Sequence, residues 1–160
     1  MKKITVLVGN IASGKSSYLV KYPLGVVISK DNLRKKFSGS IGKSYIYDPF
    51  VEASIADLCA SQLDIYIYLG VEHIIIDETH MSLDSRKWIF NTLGIGDYEV
   101  EAIVFPDDGE DIHVQRRMKD NHGTKEDGCT EEIWREVYRR KEDKFQYPTI
   151  DEGFDEIIEL

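Results

Sequence analysis

A chain of 160 residues, 42% of them apolar, is the size of one domain and carries enough core-forming side chains to exclude disorder. No apolar run approaches the roughly 18 residues of a membrane span, and two cysteines, Cys59 and Cys129, are too few for a disulfide framework or a cysteine metal site. A reducing, cytoplasmic setting is therefore expected. The formal charge of −9 argues against a uniformly basic nucleic-acid binder.

That charge is unevenly spread. Residues 97–111 hold seven acids and no base, and residues 142–160 hold seven acids against Lys144. Elsewhere 15 acids face 19 bases, a net of +4. A basic face with an acidic back suits a phosphate-rich ligand; two solvated acidic surfaces would give the same counts.

The opening MKKITVLVGN sets two lysines before five apolar residues that run into a glycine loop, so no targeting leader is expected. KITVLVG reads as a buried parallel strand, and SGKSSYLVKY as a helix stopped by Pro23. GVVIS is a second buried strand, and DNLRKKF a short helix with Asp31 as its expected N-cap. From Asp48, with Pro49 at the first helical position, PFVEASIADLCASQLDIYIYLG predicts a long helix ending at Gly70.

EHIIID is a third strand, followed by a helix over SRKWIFNTLG. YEVEAIVF is a fourth, and its alternation points to an edge position. Helices near 110–120 and 130–144 flank the polar stretch KDNHGTKEDGC, and FDEIIEL ends on a short strand. Strands alternating with helices, without repeats or a linker, predict a single α/β domain over 1–160. It has a central parallel sheet with helices on both faces and a helical lid at about 112–130.

Gly9-Asn10-Ile11-Ala12-Ser13-Gly14-Lys15-Ser16 matches G-x-x-x-x-G-K-[ST] between a strand and a helix. The glycines let backbone N–H groups turn inward on a polyphosphate, and the helix N-terminus adds its positive end. Lys15 is expected to reach the β- and γ-phosphates and the Ser16 hydroxyl to hold Mg²⁺, with Ser17 closing the nucleotide-binding run. ATP and Mg²⁺ are the implied cofactors. Asp77 and Glu78, at the end of HIIID, are the acids expected to organise the metal; spacing does not choose between them. HVQRRMKDNHGTK places Arg116, Arg117 and Lys119 at a helix end before a polar loop with His122 and Lys125. Cations on a flap suit a kinase that neutralises a moving phosphoryl group.

Assembled, these pieces resemble the kinase domain of polynucleotide 5′-hydroxyl kinases, the bacteriophage enzyme and the eukaryotic kinase-phosphatase among them. MKKITVLVGNIASGKSS is similar to the family's first strand and P-loop, and ISKDNLR to its second strand and basic-Asp-x-x-Arg. The resemblance implies that Asp31 is the general base and that Arg34 contacts a phosphate on the acceptor's 3′ side, with Lys30 where the family usually has arginine. YIY at 45–47 is similar to an aromatic pair of the acceptor region. In IIIDETHMSLDSRKW, Glu78-Thr79-His80 stands where the family has an acid before Thr-Asn, which implies acceptor contacts for Glu78 and His80. Gly123-Thr124-Lys125 matches the end of the family's lid. His122 replaces a phage arginine, which leaves Arg116 or Arg117 as the transition-state arginine. KFQYPTIDEGFDEIIEL resembles the eukaryotic Pro-Thr-x-x-Glu-Gly-Phe segment, and no Asp-x-Asp phosphatase motif occurs.

The implied activity is ATP-dependent phosphorylation of a 5′-hydroxyl end of DNA or RNA, with nucleic-acid repair as the context and no membrane partner. A P-loop kinase of a small acceptor keeps the same Asp31 and Arg34. An NTP-driven regulatory module without an acceptor would need Asp31 to be only a cap. The number of subunits is not legible.

Overall fold

The computed structural model describes residues 1–43, 47–120 and 129–160. β1 (Lys3–Val8) is followed by α1 (Lys15–Lys21), β2 (Val26–Ile28), α2 (Lys30–Ser40) and α3 (Pro49–Tyr68). Then come β3 (His73–Asp77), α4 (Leu83–Phe90), β4 (Glu99–Val104), α5 (Glu110–Lys119), α6 (Glu131–Glu142) and β5 (Glu156–Glu159). Single 3₁₀ turns at Ile95–Asp97 and Ile150–Glu152 lead into β4 and β5. All five strands are parallel, in the order β2-β3-β1-β4-β5.

The period-2 pattern of β1 divides the core. Ile4, Val6 and Val8 face a large cluster closed by Ile55, Cys59 and Leu63 of α3 and Ile89 of α4. Leu7 faces the other side with Ile75, Ile103 and Phe105, covered by Tyr18 and Leu19 of α1. Helices thus lie on both faces, as the alternating pattern predicts. Among the described residues, no helix is long and apolar enough to cross a membrane.

The edge position expected for YEVEAIVF is corrected. β4 runs between β1 and β5. Its alternation has another cause: Glu101 points to the smaller face, where it accepts from Lys3 Nζ at 2.7 Å and from Thr5 Oγ1 at 2.6 Å. Two polar partners, one of them the buried Thr5, let a central strand carry a carboxylate. The acids of 107–111 are also engaged. Glu110 and Asp111 receive Arg135, and Glu110 receives Arg139, which fastens α5 to α6.

Candidate functional site

The order β2-β3-β1 brings three stretches far apart in sequence to one edge, the carboxyl ends of the strands, where open α/β sheets bind ligands. Register fixes their spacing: Leu7 pairs with Asp77, and Ile28 with Ile76. The loop after β1, the acids ending β3 and the first turn of α2 are therefore neighbours.

The loop after β1 is held open by its own backbone. Gly9 N–H donates to Thr79 O at 2.9 Å, tying it to the end of β3. A Cβ at Gly9 would lie 2.6 Å from Ser13 Oγ and 2.9 Å from Phe105 Cβ, so a side chain there would prise the curl apart. Gly14 enters α1 at φ 103°, a left-handed conformation suited to glycine, and Ala12 is in the same region at φ 51°. Asn10 turns away from the cradle. Its Oδ1 accepts from Ile11 N–H at 2.8 Å and its Nδ2 donates to Tyr138 O and Glu142 Oε2, both at 3.1 Å. Ile11 and Ser13 are buried, whereas Ser16 and Ser17 are exposed on the first turn of α1.

Lys15 is buried, and its Nζ donates to Gly9 O and Asn10 O at 2.7 Å and to Ser13 Oγ at 3.1 Å. Burial pushes the ammonium down to about 8; Asp77 and Asp31 oppose the fall, while Lys141 and Arg117 deepen it. Burial lifts the Asp77 carboxyl to about 6, against the pull of Lys15. Glu78 differs from its neighbour: Oε2 pairs with Lys30 Nζ at 3.1 Å, and Oε1 is buried without a partner.

The N-cap of α2 is Ser29, not Asp31, a correction to the sequence reading. Ser29 has extended backbone after β2 and its Oγ accepts from Asn32 N–H at 3.4 Å. Asp31 is the second residue of α2, with Oδ1 accepting from Arg34 Nη1 at 2.6 Å. Arg34 is clamped on its far side by Glu52 of α3, Nε to Oε1 at 2.8 Å and Nη2 to Oε2 at 2.6 Å. Its guanidinium also lies 5.4 Å from the Tyr47 ring centroid. Asp31 is 42% exposed and Arg34 14%, so the carboxylate looks outward from a fixed arginine.

His80 does not read an acceptor from the surface. It is 1% exposed, and its Nδ1 donates to Leu7 O at 3.1 Å beneath the sheet edge. Its φ of 46° and the bond from Arg86 Nη1 to His80 O at 2.7 Å turn the chain there. The two lid arginines separate. Arg116 is tied to Asp108 at 2.6 Å, whereas Arg117 stacks 4.5 Å over the Trp134 ring and its charge reaches Lys15. Tyr45, His122 and Gly123-Thr124-Lys125 lie outside the described residues.

Four contributors escaped the sequence reading: Glu52, Lys141, His113, and the Arg86–Glu152 pair. His113 is fully buried and donates from Nδ1 to Ile11 O at 2.6 Å, while its Nε2 accepts from Asp108 N–H at 3.0 Å. Arg86, also fully buried, meets Glu152 through Nε and Nη2 at 2.7 and 2.8 Å. Only Glu152 leaves a local trace, as the fourth residue of the T-x-x-E capping box begun by Thr149.

A family model described as an AAA domain matches residues 4–143, from β1 to just beyond α6. The chain belongs to the AAA domain family. This AAA domain is similar to a candidate kinase from Chloroflexus aurantiacus at 14% identity and TM-score 0.71, over 99% of this chain and 84% of that one. It is similar to a sugar kinase from Janibacter sp. at 13% and 0.62, over 100% and 85%. A fungal RNA kinase aligns at 21% and 0.59, over 99% and 74%. At such identities the likeness shows the fold, which is that of P-loop kinases. No curated protein matches the sequence significantly.

Proposed function

We propose that this chain is an ATP-dependent phosphotransferase that phosphorylates the 5′-hydroxyl end of DNA or RNA. The observation that carries the reading is the outward-facing Asp31 carboxylate beside the P-loop, backed by Arg34. Exposed aromatic and basic groups occur on the same two helices and just before the second: Phe37, Tyr47 and Phe50 at 48%, 60% and 95% exposure, with Lys35 and Lys36. Rings that stack on bases and cations that follow a backbone are the usual means of holding single strands.

The chain's residues fit MgATP. The curl at Gly9, the left-handed turn at Gly14 into α1 and a buried ammonium at Lys15 suit a polyphosphate. Asp77 and the Ser16 hydroxyl would hold Mg²⁺, whose remaining positions are normally filled by water and phosphate oxygens. Bound MgATP supplies the γ-phosphoryl group and the metal's neutralising charge. Asp31 takes the proton of the acceptor hydroxyl as the new bond forms, a role typically worth about 10²–10⁴-fold. Arg34 holds that carboxylate in place and contacts an acceptor phosphate by exchanging its bond to Glu52. Arg117 answers the charge on the moving group, while Lys30 and Glu78 line the acceptor side. The lid over about 112–130 belongs to the same single kinase domain, and nucleic-acid repair in the cytoplasm is the setting proposed.

One observation favours a second reading. The Arg34 fork is already filled by Glu52, which suits an acceptor without a phosphate, such as a nucleoside or a sugar. Incubation with γ-labelled ATP, Mg²⁺, 5′-hydroxyl DNA and RNA oligonucleotides, nucleosides and sugars separates the two. Label on oligonucleotide ends that Asp31→Asn abolishes, with ATP affinity kept, supports the polymer acceptor. Label on small acceptors alone overturns it.

A further inference from the structure

Lys141 is a half-buried cation that the proposed chemistry leaves unused. It occupies the last turn of α6, where a lysine ordinarily extends into water. Its Nζ instead donates to Thr79 Oγ1 at 3.0 Å, just past the end of β3. Among the described residues no carboxylate lies within ion-pair distance of it. A half-buried ammonium held by one hydroxyl keeps donors to spare for an anion.

Its placement is fixed without any ligand. Asn10 of the P-loop grips α6 at Tyr138 O and Glu142 Oε2, four residues apart at the C-terminal end of the helix. Ile11 packs against Val114 and Tyr138. Thr79, its partner, accepts from Gly9 N–H of the P-loop through its own carbonyl, so the Lys141 ammonium stands where the P-loop meets the end of β3. Its charge reaches Lys15, the donor-phosphate lysine, and it feels Arg140 and then Glu78, Lys30 and Arg34. The point between donor phosphate and acceptor hydroxyl is where the phosphoryl group passes.

We propose that Lys141 is a catalytic residue that binds the phosphoryl group in transit, a cation delivered by α6 in addition to the lid arginines. This rests on the phosphotransfer reading above. The acceptor oxygen gains a bond to phosphorus as the bond to the bridging oxygen of the departing ADP breaks. The hydroxyl proton passes to Asp31, and Lys141 keeps its own proton throughout. Its contribution is charge against the three equatorial oxygens, which are most negative midway.

The test uses Lys141→Met, Lys141→Gln and the conservative Lys141→Arg in the full chain. Affinities are measured for MgADP and for MgADP with aluminium fluoride, which mimics the planar phosphoryl group. Lys141→Met and Lys141→Gln should bind MgADP within about twofold of wild type yet lose about 10²-fold for the fluoride complex, the usual size for one lost anion donor. Lys141→Arg should restore most of it. Selective ¹⁵N-lysine spectra of the wild type should show, besides the Lys15 signal, a protected Nζ signal that is absent in Lys141→Arg and moves with the fluoride complex and not with MgADP. Equal losses for both ligands make Lys141 a strut of the P-loop and overturn the proposal. So does an unmoved Nζ signal, which decides the matter even where the Met and Gln variants fail to fold. A wild-type chain that binds no MgATP overturns the phosphotransfer reading as well; one that binds and transfers with Lys141→Met unimpaired overturns this inference alone.

Discussion

Replacing Lys15 by methionine should leave the nucleotide-free fold nearly as stable as wild type at pH 7 and much less stable than wild type at pH 10. Burial holds the Lys15 ammonium at about 8 against an ordinary 10.5. Because the folded value is the lower one, this contribution to stability is full above pH 10.5 and is lost as pH falls through 8. The gap corresponds to about 3 kcal/mol at neutral pH. Against it stand the bonds to Gly9 O, Asn10 O and Ser13 Oγ, worth roughly 1 kcal/mol each. The two nearly cancel at pH 7, where methionine escapes the buried charge and forfeits the bonds. Raising the pH from 7 to 10 should then favour wild type over Lys15→Met by about 2.5 kcal/mol. Urea unfolding of both proteins at pH 7, 8.5 and 10 measures the difference. A difference that stays flat across that range means Lys15 is not a buried, depressed ammonium, and the P-loop electrostatics argued above are wrong. MgATP affinity, lost in Lys15→Met at every pH, is the functional arm of the same experiment.

Asp77→Asn runs the opposite way. The Asp77 carboxyl is raised from 3.8 to about 6, so wild type loses stability as pH rises through 6, by about 2 kcal/mol between pH 4 and 7. The asparagine variant should show no such loss; parallel pH curves would refute the burial argument. Arg86→Met should cost about 3–5 kcal/mol, because it strands the Glu152 carboxylate in the interior. At about 2–4 °C per kcal/mol for a chain this size, its Tm should fall by roughly 10 °C. The double variant Arg86→Met with Glu152→Met should recover a large share, and a double variant no better than the single would place the cost elsewhere.

What the sequence reveals follows the range of the interaction. β1, the P-loop and α1 are legible because strand, glycine curl and helix start lie within twenty residues, each set by local pattern. α3 is legible for the same reason, from Asp48 as cap and Pro49 at its first position to Gly70 beyond its end. Two capping candidates, Ser29 and Asp31, stand two residues apart. The choice between them depends on where β2 stops, which sheet pairing with β3 decides. The alternation of β4 misleads because its acids answer partners on β1, across the sheet. Lys141 is the extreme case. In sequence it is one more base in RRKEDK, a helix end rich in charge that would suit solvent and the helix dipole. Its partner Thr79 lies 62 residues away, and the neighbouring Glu142 reaches Asn10 across 132. A lysine's type and helical position are the same whether it is solvated or buried, so only the docking of α6 on the P-loop tells them apart. Ser29 is the cap, Arg34 is fixed by Glu52, and the Asp31 carboxylate that Arg34 holds stays partly exposed, as a base for the proposed acceptor has to be.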